Sequence, residues 1–119
     1  MKKILIADDS LFMRKILSDI LSGTYQIVEA ATGAEAKEQI KKEKPDLILL
    51  DIIMPEGEET GIRVLEDTMK AAPKTRVIMI SAVGQETILD ECKKLGAVDY
   101  IVKPFDKKTV ISTVRKYLS

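Results

Sequence analysis

The chain has no histidine among its 119 residues. That excludes Ser-His-Asp catalysis, histidine-ligated zinc and any role as a phosphohistidine carrier. It has one cysteine, Cys92, which rules out an internal disulfide framework and suits a reducing cytoplasm. Cys92 shares helical spacing with Ile88 and Leu95 and reads as a core-facing thiol. Neither sign of charge dominates. Nineteen basic residues balance nineteen acidic ones, so neither a nucleic-acid nor a membrane footprint is expected. No apolar run approaches the length of a membrane span, and Met1-Lys2-Lys3 leads straight into a strand pattern without a signal peptide. Linkers, repeats and low-complexity segments are absent as well. The length fits one domain, residues 1–119, with room for one core.

What is present is a rhythm. Ile4-Leu5-Ile6-Ala7 is a short apolar run ending in Asp8-Asp9. Ser10 or Asp9 can cap a helix with Met13, Ile16, Leu17, Ile20 and Leu21 on one stripe, and Gly23 is placed to stop it. Gln26–Ala30 is a half-polar strand suited to a sheet edge. Thr32 with Glu35 is a capping-box signature opening a helix to about Lys42, and Pro45 blocks its continuation. The Lys41-Lys42-Glu43-Lys44 run reads as a solvated helix end. Leu47-Ile48-Leu49-Leu50 then runs straight into Asp51, as a strand buried on both faces does. A third helix follows on Ile62, Leu65, Met69 and Ala72. Arg76–Ile80 is a fourth strand with Ser81 at its exit. A fourth helix carries Ile88, Leu89, Cys92 and Leu95, with Gly96 as its stop. Asp99–Lys103 is a fifth strand, followed by Pro104, and a final helix shows Val110, Val114 and Leu118 on one face.

Five β-α units imply an α/β fold: a doubly wound, five-stranded parallel sheet with helices on both faces and right-handed crossovers. In the flavodoxin-like order 2-1-3-4-5 the switch point lies between strands one and three, and ligands bind beyond the carboxyl ends of the strands. That order gathers Asp8, Asp9 and Asp51 in one crevice, with Ser81 and Lys103 closing it. Singly, each residue is commonplace: a capping aspartate, a strand-end serine, a solvent-facing lysine. Jointly, four strand exits out of five carry complementary groups. Three carboxylates repel one another unless a positive charge intervenes. A lysine serves, and an all-oxygen donor set also favours Mg2+.

At these residues the chain resembles the receiver domains of two-component response regulators, in particular stand-alone CheY-like chemotaxis proteins. The resemblance covers the whole chain. It rests on Asp8-Asp9, Asp51 with Met54-Pro55, Ser81-Ala82 and Lys103-Pro104-Phe105. Asp9-Ser10-x-Phe12-Met13-Arg14 and the segment Gly96–Phe105 point to the chemotaxis subgroup. The resemblance implies a cytoplasmic, monomeric, phosphorylation-activated switch rather than an enzyme in its own right. Its partners would be a histidine kinase (CheA-like) and a motility or other output protein. Asp51 would accept the phosphoryl group. Asp9 would ligate Mg2+ directly and Asp8 largely through water, with the Ile53 carbonyl completing the protein ligands. Ser81 and Lys103 would bind the phosphoryl oxygens, and the Lys103–Pro104 peptide would be cis. Tyr100 would swing inward on activation.

The chain departs from the family pattern at two places. Gly61 arrives two residues later than usual after Met54-Pro55, and the loop between carries Glu56, Glu58 and Glu59. That loop reads as a solvated insertion. Ile53 and Val83 are both apolar where polar groups are common. A magnesium-dependent aspartyl-phosphate phosphatase is the rival reading; it would want an acidic residue at position 53. An interaction module without phosphorylation is disfavoured by the complete set of site residues.

Overall fold

The computed structural model describes residues 1–118. Its elements alternate without exception: β1 (Lys3–Ala7), α1 (Leu11–Leu21), β2 (Gln26–Ala30), α2 (Gly33–Glu43), β3 (Leu47–Leu50), α3 (Thr60–Ala71), β4 (Arg76–Ser81), α4 (Glu86–Lys94), β5 (Asp99–Val102) and α5 (Lys107–Leu118). The strands form one sheet in the order β2-β1-β3-β4-β5, and every pairing is parallel. The doubly wound α/β architecture follows as the alternation implied. No helix among the described residues is long and apolar enough to cross a membrane.

The continuous apolar runs are explained by the two sides of the sheet. Successive strand residues face opposite ways. Leu5, Ala7, Ile48, Leu50, Val77 and Met79 pack with Ala36, Val64, Leu65 and Cys92 from α2, α3 and α4. Ile4, Ile6, Leu47, Leu49, Ile78 and Ile80 pack with Leu17, Leu21, Val110, Val114 and Leu118 from α1 and α5. All four residues of β3 are fully buried. The half-polar β2 lies at the sheet edge, as its composition suggests.

The helix signals hold in type and shift in detail. Ser10 caps α1, its hydroxyl accepting the Met13 N–H at 3.2 Å, and Thr32 caps α2 by accepting the Glu35 N–H at 3.0 Å. Gly23 follows directly on the C-cap of α1, Ser22, whose N–H donates to Ser18 O, and it does so without a positive φ. Lys44, not a glycine, takes the left-handed position that ends α2, at φ 47°. Gly96 does end α4, at φ 114°. In α3 the buried face is broader than its apolar residues announced. It includes Gly61 and Thr68, whose hydroxyl donates to Val64 O at 2.7 Å and so enters the core satisfied. Cys92 is fully buried, and burial pushes its thiol up to about 11, which suits packing rather than reactivity.

Candidate functional site

The carboxyl ends of β1, β3 and β5 bring the predicted charges together. Asp8 follows β1 and Asp51 follows β3, and both are buried, while neighbouring Asp9 is exposed. One carboxylate oxygen from each of the three lies within 4.8 Å of the others. Lys103, just past β5, lays its ammonium between two of them. Its Nζ donates to Asp8 Oδ2 at 2.6 Å and to Asp51 Oδ2 at 2.8 Å. The Lys103–Pro104 peptide is cis.

Each carboxylate has a distinct set of partners. Asp8 Oδ1 accepts the Ser10 N–H at 2.9 Å, and the Asp8 carbonyl accepts from Arg14 Nη1 at 2.7 Å. Arg14 is itself tied to Glu29 by a 3.0 Å ion pair. Asp51 Oδ1 accepts the Ile53 N–H at 3.3 Å, which leaves Oδ2 to the lysine. Burial pushes the Asp8 carboxyl above its ordinary value, although Lys103 and the Ser10 amide pull it part of the way back. Burial acts against the Lys103 ammonium too. There its bonds to Asp51 and Asp8 win, and its pKa lies above that of a free lysine.

Gly61 explains how α3 starts so close to Asp51. Its N–H donates to Ile52 O at 2.7 Å. A Cβ at this position would lie 1.9 Å from the Asp51 carbonyl oxygen and 2.6 Å from Ile52 Cα. The Asp51–Ile52 backbone leaves no room for any residue but glycine. Sequence reading marked Gly61 only as a late family glycine; the close approach behind it was not visible there.

Ser81, the last residue of β4, is 1 % exposed, and its Oγ accepts the Val83 N–H at 3.4 Å. Tyr100 was expected to move inward on activation. In this structure it is already inward: it packs against the core cluster that contains Met79 and Cys92, and its hydroxyl donates to the Val83 carbonyl. Burial raises its phenol to about 12, against a smaller opposing effect of the Ser81 hydroxyl. Ile53 is 44 % exposed, whereas Val83 is half-buried and packs against the core cluster.

The loop after Met54 is not simply solvated. Its residues are exposed, yet Met54 and Gly57 exchange two backbone hydrogen bonds, of 3.2 and 3.0 Å. The Glu56 carboxylate reaches across to α2, accepting the Gly33 N–H at 3.0 Å and the Ala34 N–H at 2.9 Å. These two amides hold the Glu56 carboxyl below its ordinary pKa. Sequence reading missed this contact, because nothing local links residues 22 and 23 positions apart.

A doubly wound parallel sheet with an aspartate triad and a lysine at its carboxyl ends matches one family. Residues 4–115 fit the response regulator receiver domain, and the chain belongs to that family. It is a CheY-like receiver domain of two-component signalling. The chain is 42 % identical over 117 residues to the chemotaxis protein CheY of Thermotoga maritima, covering 97 % of this chain and 96 % of that one. It is 40 % identical to chemotaxis protein CheY of Bacillus subtilis, covering 98 % of each. Among solved structures it is similar to the CheX-CheY-BeF3-Mg+2 complex from Borrelia burgdorferi. The TM-score is 0.92 at 37 % identity, over 99 % of this chain and 90 % of that one. Receiver domains bind Mg2+ at an acidic pocket, and the triad fits that role. It offers oxygen donors only, close enough to share one hard cation, and exposed Asp9 leaves room for retained waters.

Proposed function

We propose that this receiver, one domain over residues 1–119, takes a phosphoryl group onto Asp51 from the phosphohistidine of a CheA-like histidine kinase. It works in the cytoplasm, as a monomer, and passes the signal to a chemotaxis output protein. The observation that carries this reading is the contact of one ammonium with both Asp8 and Asp51, inside a triad of carboxylates. The chemotaxis assignment is supported by the full-length similarity to two CheY proteins.

Phosphoryl transfer asks a protein mainly for positioning and charge neutralisation. Asp51 Oδ attacks phosphorus, a P–O bond forms as the kinase's P–N bond breaks, and the imidazole leaves. Buried Asp51 is fixed by the Ile53 amide on one oxygen, so its attack direction is set before the donor arrives. Lys103 then exchanges its carboxylate contact for a phosphoryl oxygen without leaving the site. Asp9 directly, Asp8 through water, Asp51 and the Ile53 carbonyl would hold Mg2+, which supplies further neutralisation of the phosphoryl oxygens. Ser81 donates its hydroxyl to the same group. Bonds from Ser81 and Lys103 to the charged product are worth ~1.5–3 kcal/mol each. Their sum approaches the ~5.5 kcal/mol that inverts a two-state equilibrium from 1:99 to 99:1. Ser81 movement is transmitted through Val83 to Tyr100, whose hydroxyl holds the Val83 carbonyl.

The test is labelling with acetyl phosphate in the presence of Mg2+. The wild type takes up one phosphoryl group and Asp51→Asn takes up none. Labelling that survives the substitution, or that needs no divalent ion, overturns the assignment.

A further inference from the structure

We infer that Glu56 is a positioning residue for the phosphoryl-acceptor site: its carboxylate latches the β3–α3 loop onto the first turn of α2 and thereby fixes the backbone that faces the metal. The inference rests on the phosphoryl-acceptor reading above and adds a residue and a mechanical role to it.

The loop runs from Ile52 to Glu59, between the acceptor Asp51 and the start of α3. It carries the Ile53 carbonyl, and it is held at three points. Near its start the Ile53 amide bonds to Asp51 Oδ1 at 3.3 Å. At its end Gly61 sits against the Asp51 carbonyl. Between them the Met54–Gly57 pair turns the chain outward; Met54 packs into the core, the Gly57 carbonyl accepts the Thr60 N–H at the start of α3, and Glu56 ties the turn to α2. Both of its oxygens are used, one on each amide. These amides are among the groups that a helix leaves without intrahelical partners, and a carboxylate there also meets the positive end of the helix dipole.

The neighbourhood is packed to suit. A Cβ on Gly33 would lie 2.4 Å from Thr60 Cγ2 and 3.4 Å from Glu56 Oε2, so α2 and α3 are in close contact where the latch closes. Thr32 already caps α2 by its own side chain on Glu35. Glu56 therefore does not replace a missing cap. It engages the remaining donors, and its distinct effect is on the loop that supplies it. Glu58 and Glu59 are exposed and contribute no bond to these amides.

The experiment compares Glu56→Ala and Glu56→Gln with Glu58→Ala as a charge control. Amide hydrogen exchange is measured on the metal-free proteins, and Mg2+ binding by calorimetry. Glu56→Ala should lose protection at Gly33, Ala34 and Gly57 by tenfold or more, and should bind Mg2+ three- to tenfold more weakly with an unchanged circular dichroism spectrum. Glu56→Gln, which keeps one acceptor oxygen, should fall between. Glu58→Ala should match the wild type in both readouts. Unchanged protection in Glu56→Ala overturns the latch. Lost protection with unchanged Mg2+ affinity, or an equal loss of affinity in Glu58→Ala, overturns the positioning role. Failure of the wild type to bind Mg2+ refutes the acceptor-site reading instead, and leaves the exchange result to judge the latch alone.

Discussion

Replacing Lys103 by methionine removes the only cation bonded to the Asp8 and Asp51 carboxylates among the described residues while keeping most of the side chain's volume. Lys103 is 15 % exposed, Asp8 1 % and Asp51 9 % by side chain, so solvent screens these pairs little. Breaking a buried pair by deleting one partner costs ~3–5 kcal/mol, because the surviving charge loses its compensation. A domain of this kind holds only ~5–15 kcal/mol in total. At pH 7 the urea midpoint of Lys103→Met should therefore fall by roughly 2 M for a slope of about 2 kcal/mol/M. The pH dependence has a definite sign. Asp8 is already raised above its ordinary value by burial, and loss of the ammonium raises it further. An acid raised on folding contributes stability below its unfolded pKa and loses it as pH rises through the folded pKa. The deficit should thus shrink as the pH falls through that range, since a neutral carboxyl needs no counter-charge. Mg2+ should stabilise the variant more than the wild type, because the lysine no longer competes for the same oxygens. A deficit under ~1 kcal/mol at pH 7, or one that grows on acidification, would refute the reasoning.

Three further outcomes follow from particular contacts. Ile53→Asn should speed spontaneous loss of the phosphoryl group by roughly ten- to a hundredfold, since a polar side chain at this exposed position can orient the attacking water and isoleucine cannot; decay followed without any partner checks this, and an unchanged rate in a folded, Mg2+-binding variant counts against it. Gly61→Ala should destabilise by ~3 kcal/mol or more, because the clash is with the Asp51–Ile52 backbone, which cannot swing aside as a side chain can; chemical denaturation measures it. Alkaline titration followed by tyrosinate absorbance should show a phenol near pH 12 that disappears in Tyr100→Phe. Because that pKa is raised from 10, the associated stability is present below pH 10 and is lost as pH rises toward 12.

The strands and their order were legible because each apolar run is short, bounded and followed by a helix-period segment. The order 2-1-3-4-5 then gathers the strand-end charges. The meeting of Asp8, Asp9, Asp51 and Lys103 was legible for the same reason. The split between Asp8 and Asp9 was not. Adjacent residues of one type look alike in sequence, yet the exit of β1 buries the first and exposes the second. The inward position of Tyr100 depends on a carbonyl seventeen residues away. Glu56 was hidden for a similar reason: three glutamates in one loop look equally solvated, and only the approach of α2 distinguishes one of them.

The sheet is mechanically lopsided, and this bears on how a signal leaves the site. Asp51 extends from β3, which is flanked on both sides and fully buried, whereas Lys103 extends from β5, an edge strand with only Ile101 buried. Stiffness in a folded chain follows burial and backbone pairing. Asp51 is therefore mounted on the rigid middle of the molecule, and Lys103 and Tyr100 sit toward a compliant rim. A force applied at Asp51 spends little of itself deforming β1 and β3. Under the proposed function it passes outward, through Ser81 on β4 and Tyr100 on β5, to the margin formed by α4, β5 and α5.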